Sequence, residues 1–179
     1  MSIELLATQG RDRIHGGLAA IDSTKLRQMR DNSLRSCFKR LEETNYRMEY
    51  VARIHEKEFI NDAAARTVNA TWYALENTEG SIIWIAFGGD NEADYSRLHS
   101  IALRKVRMLI CVGSDNHNLH QAFQDVISDI RDVESIGAAV HCACYSMLEN
   151  AKVLFSPATR YGLSDETAGR IFRHEVNEL

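Results

Sequence analysis

A few short clusters in this sequence carry side chains capable of chemistry. His141-Cys142-x-Cys144 sets an imidazole and two thiols within four residues, the ligand types of a zinc site. On a helix, residues two apart point to different sides, and no second cysteine pair lies at zinc spacing. Buried small residues on a helix account for the cluster better, so no metal site is expected. Asp115-Asn116-x-x-Leu119-His120 brings a carboxylate and an imidazole near one loop. Acid–base chemistry would need a partner for the histidine and a substrate to protonate. A helix N-cap, with Asp115 or Asn116 accepting from the backbone, is the simpler account. Asn61-Asp62 follows a strand and precedes a helix. A carboxylate there can orient a ribose or hold a cation-linked phosphate, or it can cap the helix, and spacing leaves the two readings level. Gly88-Gly89 lets a backbone approach a ligand closely, and a plain strand-to-helix turn explains it equally well. The phosphate loop G-x-x-x-x-G-K-[ST], the G-x-G-x-x-G fingerprint, a Ser-His-Asp spacing and a nucleophile elbow do not occur. No residue is assigned a catalytic role.

The elements that would position these groups follow from periodicity. Ser23 or Thr24 caps a helix to about Glu43, with Leu26, Met29, Leu34, Phe38 and Leu41 on one face to bury. Met48 to Ile54 and Lys57 to Ile60 read as short strands. Ala63 to Glu76 reads as a helix, Ser81 to Phe87 as a buried strand, and Asp94 caps a helix to about Lys105. Met108 to Val112 is the next strand, and a helix carries Leu119, Ala122 and Phe123. Ile127 to Ile130 makes a short strand, Val133 to Glu149 a helix, Lys152 to Phe155 a last strand and Asp165 to Val176 a last helix. Strands alternating with helices of about a dozen residues predict an α/β fold, a mostly parallel sheet covered on both faces and preceded by an N-terminal helix. Ligands of such sheets gather at the carboxyl ends of the strands, here Asn61-Asp62, Gly88-Gly89-Asp90, Gly113-Ser114-Asp115 and Ser156-Pro157-Ala158.

With 179 residues, 45% of them hydrophobic, the chain can bury one sizeable core. A net charge of −4 argues against a general nucleic-acid binder. The basic run Lys25, Arg27, Arg30, Arg35, Lys39 and Arg40 reads as a solvated helix face. No stretch approaches the roughly 18 apolar residues of a membrane span, and the N-terminus lacks the pattern of a signal peptide. Four cysteines without a disulfide pattern suit a reduced, cytoplasmic setting.

Several motifs fall in an order that resembles the C-terminal domain of the Mur ligases, most nearly the branch that adds D-glutamate to a UDP-muramoyl peptide precursor. They are Tyr46-Arg47-Met48-Glu49-Tyr50-Val51, Phe59-Ile60-Asn61-Asp62, Asn69 to Glu76, Gly88-Gly89-Asp90, Asp94-Tyr95-Ser96, Ile110-Cys111-Val112-Gly113, Asp115-Asn116, Leu119-His120-x-Ala122-Phe123, Val153 to Ala158 and Gly169-Arg170-x-Phe172. The resemblance runs from about Tyr46 to the C-terminus. It implies residues 45–179 as the C-terminal domain and residues 1–44 as a helical segment similar to the end of the ATP-binding central domain. It implies a Rossmann-like fold, ATP and Mg as cofactors, and ATP-dependent amide ligation in peptidoglycan precursor synthesis. Arg47 and Asp62 match the residues that meet the nucleotide. Asn61, Asp90 and Ser156 match positions near the substrate.

This sequence departs from the family at the amino-acid site. The family's Ser-Lys-Ala-Thr-Asn after Asn-Asp is Ala63-Ala64-Ala65-Arg66-Thr67 here, so the substrate lysine and threonine are Ala64 and Arg66. Gly-Gly-x-Asp-Lys is Gly88-Gly89-Asp90-Asn91, and the Ser and Phe of the pocket have no counterpart in Thr159 to Ser164. A carboxylate substrate needs fixed cations or donors. The expectation is a domain cut off from the ATP-binding parts, inactive and without tight ATP binding alone. The alternatives are a scaffold reused as a binding or regulatory module, and one half of a split ligase whose N-terminal and central domains lie on a separate chain.

Overall fold

A computed structural model describes residues 23–39, 45–89, 93–160 and 162–179. The chain divides into two units, Met1–Lys39 and Arg40–Leu179. Among the described residues of the first lies the helix α1 (Ser23–Lys39). Lys25, Arg27, Arg30 and Arg35 on it are exposed, as a solvated basic face requires. Of the apolar face expected to be buried, Leu26 and Met29 are 50% and 58% exposed and Leu34 is half-buried. Phe38 and Leu41 lie outside the residues whose side chains are described.

The second unit is a six-stranded sheet in the order β1-β2-β6-β3-β4-β5. The strands are β1 (Glu49–Ile54), β2 (Lys57–Asn61), β3 (Ile82–Phe87), β4 (Val106–Val112), β5 (Ile130–Val133) and β6 (Lys152–Phe155). Only the β1–β2 pair is antiparallel. Its hairpin turns on His55 and Glu56, both at positive φ, the backbone of a tight two-residue loop. The helices are α2 (Val68–Asn77), α3 (Ser96–Lys105), α4 (His117–Phe123), α5 (Ile136–Cys144) and α6 (Asp165–Asn177). The expected α/β architecture is thus present, mostly parallel and preceded by a helix.

Strand side chains alternate between faces, and the two faces have different partners. Ile83, Ile85, Phe87, Met108, Ile110, Val112, Val153 and Phe155 pack with Ala139, Val140 and Ala143 of α5 and with Ala168, Phe172 and Val176 of α6. The alternate positions face α4, where the Trp84 ring meets the Phe123 edge at 5.2 Å. Every residue of β3 is buried, which explains its unbroken apolar sequence.

Three boundaries differ from the periodicity, each for a local reason. The helix expected from Ala63 starts at Val68. Residues 62–66 form turns instead, with Ala65 N–H donating to Asp62 O at 2.8 Å and Ala64 N–H to Tyr46 O at 3.1 Å. Thr67, extended at φ −147°, then caps the helix by accepting from Ala70 N–H. The short strand expected at Ile127 to Ile130 begins where that segment ends. Val126 and Ile127 N–H both donate to Phe123 O, so residues up to Ile127 complete the turn after α4. The helix expected from Val133 to Glu149 is shorter. Val133 pairs with Val112 in the sheet, Ser135 caps by accepting from Ala138 N–H, and the buried Lys57 ammonium donates to Cys144 O and Ser146 O at the far end.

Candidate functional site

The sheet order places the topological switch between β3 and β6, where neighbouring strands run on in opposite directions across the sheet. Open α/β sheets bind ligands there, outside the carboxyl ends of the strands. Ser156 follows β6 and Asp62 follows β2, so both stand at that edge. Arg47 arrives from the turn before β1. The three form one buried network. Arg47 Nη1 lies 2.9 Å from Asp62 Oδ1, and Arg47 Nη2 donates to Ala70 O at 3.3 Å. Ser156 Oγ donates to Asp62 Oδ2 at 3.0 Å. Met48 N–H donates to Asp62 Oδ1 at 3.2 Å. Thr71 Oγ1 and Ser156 Oγ share a hydrogen bond of 2.9 Å, and the Trp84 indole N–H donates to Ser156 O at 2.8 Å. Asp62 and Ser156 are fully buried and Arg47 is 6% exposed.

Burial pushes the Asp62 carboxyl up to about 7, against the opposing pull of the Arg47 charge, the Ser156 hydroxyl and the Met48 N–H. Backbone strain gathers around the same place. Tyr46, Met48 and Ala158 all have positive φ, at about 1–2 kcal/mol each for an L-residue. A network of charged hydrogen bonds is what holds such turns in place.

The sequence singled out Arg47 and Asp62 as nucleotide contacts, and the structure brings them together as partners of each other. Both are buried, with Arg47 directed at Asp62 and the Ala70 carbonyl. Ser156 belongs to the same network. Asn61 does not. It is fully buried and donates to Gly169 O at 3.0 Å and Glu49 Oε2 at 3.3 Å, tying β2 to α6. Asp90 lies outside the described residues. Close approach at Gly88 is to a neighbouring loop: a Cβ there would meet Asn116 Oδ1 at 2.1 Å and Asp115 O at 2.3 Å. A shallow depression beside the switch is lined by Ala63, Arg66, Phe87, Pro157 and Leu163, and Arg66 spans toward Asp165 at 3.8 Å. A larger cleft of about 570 Å³ lies past the ends of β3 and β4, against the first turn of α5.

Asp115 and His120 do not form a pair. Asp115 Oδ1 accepts from His117 N–H at 3.3 Å, as a cap would. Asn116, at the N-cap position, makes no side-chain cap bond, and its Nδ2 donates to Asp132 Oδ1 at 2.8 Å. His120 Nε2 also meets Asp132, 2.9 Å from Oδ2. Cys111, His120 and Asp132 form a cluster that spacing alone could not reveal. The only available signal is the pairing of β4 with β5, which sets Cys111 opposite Asp132. Burial, with the Asp132 charge adding to it, pushes the Cys111 thiol up to about 12, so it is no nucleophile at neutral pH. Of the other pair, Cys144 is buried, Cys142 half-buried and both are free thiols.

No helix among the described residues is long and apolar enough to cross a membrane. No family model matches the sequence. UDP-N-acetylmuramoylalanine–D-glutamate ligase of Porphyromonas gingivalis is 35% identical over 182 aligned positions, covering 100% of this chain and 40% of that protein. The same ligase of Christiangramia forsetii is 32% identical over 177 positions, covering 97% of this chain and 40% of that protein. Among solved structures, a bifunctional folylpolyglutamate synthase/dihydrofolate synthase from Yersinia pestis, complexed with AMPPNP and Mn ion, superposes with a TM-score of 0.51 at 14% identity. The match covers 72% of this chain and 30% of that one, and it bears on the fold alone. The chain is a Mur-ligase-family sequence, similar along its whole length to D-glutamate ligases and spanning about 40% of the length of the curated relatives it matches.

Proposed function

We propose that residues 45–179 are the C-terminal domain of a D-glutamate-adding Mur ligase whose scaffold is kept and whose amino-acid site is lost, so that these 179 residues alone are a cytoplasmic pseudoenzyme. The whole ligase reaction, ATP-dependent amide ligation on a UDP-muramoyl precursor, belongs to the relatives. In them a central domain supplies the phosphate loop, and the sequence in hand contains no such motif.

Residues 61–66 carry the contrast that supports this. Asn61 and Asp62 are fully buried and held by scaffold bonds, so keeping them preserves the fold. Ala64 and Arg66 stand where the family's substrate lysine and threonine would be. Alanine offers no donor to a carboxylate, and Arg66 already faces Asp165. Arg47 and Asp62 act in this proposal as a clamp on the turn before β1, and any contact with ATP, or with its Mg, requires that clamp to open against a nucleotide held by a separate domain.

The test is phosphate release by the chain with ATP, Mg, D-glutamate and UDP-N-acetylmuramoyl-L-alanine. No turnover above a protein-free blank is expected, with or without an added chain carrying a relative's N-terminal and central domains. Turnover with that added chain, lost in Asp62→Ala, would replace the pseudoenzyme with one half of a split ligase.

A further inference from the structure

Away from the Arg47–Asp62 network, a thiol, an imidazole and a carboxylate converge from three different elements. Cys111 and Asp132 lie opposite each other on the parallel strands β4 and β5, which directs both side chains to one face of the sheet. The crossover between these strands is α4, and it brings His120 to the same face. One ligand atom from each residue, the Cys111 Sγ among them, lies within 4.8 Å of the other two. His120 Nε2 is 3.0 Å and 2.9 Å from the two Asp132 oxygens.

We propose that Cys111, His120 and Asp132 bind a divalent transition-metal ion, zinc foremost. The donor set decides the class of ion. Sulfur, imidazole nitrogen and carboxylate oxygen together suit zinc, whereas magnesium and calcium take oxygen alone. Tetrahedral zinc, with bonds of about 2.0–2.2 Å to nitrogen and oxygen, holds those atoms roughly 3.3–3.5 Å apart. The His120–Asp132 contact therefore has to widen by about half an ångström. Their side chains are 37% and 54% exposed, so they can shift while Cys111 stays fixed in the sheet. Coordination deprotonates a thiol outright, so the buried Cys111 supplies a thiolate once the ion is in place.

The carboxylate is also held from behind. Asn116 is 9% exposed, and its Nδ2 donates to Asp132 Oδ1 at 2.8 Å and to Gly113 O at 3.1 Å. Partners of this kind orient metal ligands. The three protein ligands leave a fourth position on the exposed side for water.

Cobalt(II) titration of the full chain tests the site, in a Cys37→Ser, Cys142→Ser background that removes the more accessible thiols. One equivalent of cobalt is expected to give a thiolate-to-metal charge-transfer band with intense four-coordinate visible bands, and zinc should displace both. Cys111→Ser should abolish the charge-transfer band. Because a buried substitution can unfold the protein, His120→Ala and Asp132→Asn, on partly exposed side chains, are measured alongside with circular dichroism. Each should weaken binding at least about tenfold while the fold persists. No band at millimolar cobalt would overturn the proposal. So would binding that folded His120→Ala and Asp132→Asn proteins retain undiminished.

Discussion

Replacing Asp62 by Asn exchanges a fully buried carboxyl for a group of nearly the same shape that cannot ionise. In the folded protein burial holds that carboxyl at about 7, whereas an unfolded chain leaves it near 3.9. Between those values the folded state binds more protons than the unfolded state, so stability falls as pH rises. The group's contribution is fully present below about pH 4 and is lost by about pH 7. Three pKa units at about 1.4 kcal/mol each give roughly 4 kcal/mol across that window. Other groups titrate there too, so the quantity to measure is the stability difference between wild type and Asp62→Asn, from urea unfolding at half-unit steps between pH 4 and pH 8. Wild type should lose ground against the variant by several kcal/mol as pH rises, with the slope flattening above pH 7. A difference that stays flat, or that runs the other way because the Arg47 attraction outweighs burial, would refute this reasoning.

Other perturbations should separate packing from chemistry. Gly88→Ala drives a methyl into Asn116 Oδ1 and the Asp115 carbonyl and should lower stability by about 1–3 kcal/mol, read as a drop in Tm. Gly80→Ala meets no atom but sits at φ +82°, so its loss should be about 1–2 kcal/mol and due to backbone strain alone. Lys57→Met removes charged donors from two carbonyls at the end of α5, and urea unfolding should show a loss of about 1.5–3 kcal/mol. Calorimetry of the chain with ATP should give a dissociation constant weaker than about 1 mM, less than about 4 kcal/mol of binding, while a micromolar constant lost in Arg47→Ala would make this a self-sufficient nucleotide site.

The parts of the fold legible in the sequence are those that one segment encodes by itself. The unbroken apolar run Ile82–Phe87 had to be a strand buried on both faces, and it is. Lys152–Phe155 and Asp165–Asn177 follow equally local patterns. What escaped was decided by particular backbone bonds, some local and some to distant segments. Residues 63–66 are rich in alanine, a good helix former, yet Ala64 N–H is taken by Tyr46 O and Ala65 N–H by Asp62 O, so the helix waits for the Thr67 cap. Cys111, His120 and Asp132 are 9 and 12 residues apart along the chain and meet through the β4–β5 register and the α4 crossover that carries His120.

The candidate site shows the same division. Asn61 and Asp62 are neighbours in the chain, but alternation along β2 and the turn after it send them to different partners. Asn61 ties the strand to α6 through Gly169 O. Tyr46 packs against that same glycine so closely that a Cβ there would meet its ring at 2.5 Å. Asp62 ties the next turn to Arg47 and Ser156. Both residues, with Tyr46, hold the turn before β1 to the sheet and to α6, so a substitution at any of them loosens the same turn. Ala64 offers no side-chain hydrogen bond, and Arg66 lies 3.8 Å from Asp165 at the start of α6 with both side chains partly exposed, so a substitution at either position is expected to disturb the turn before β1 less.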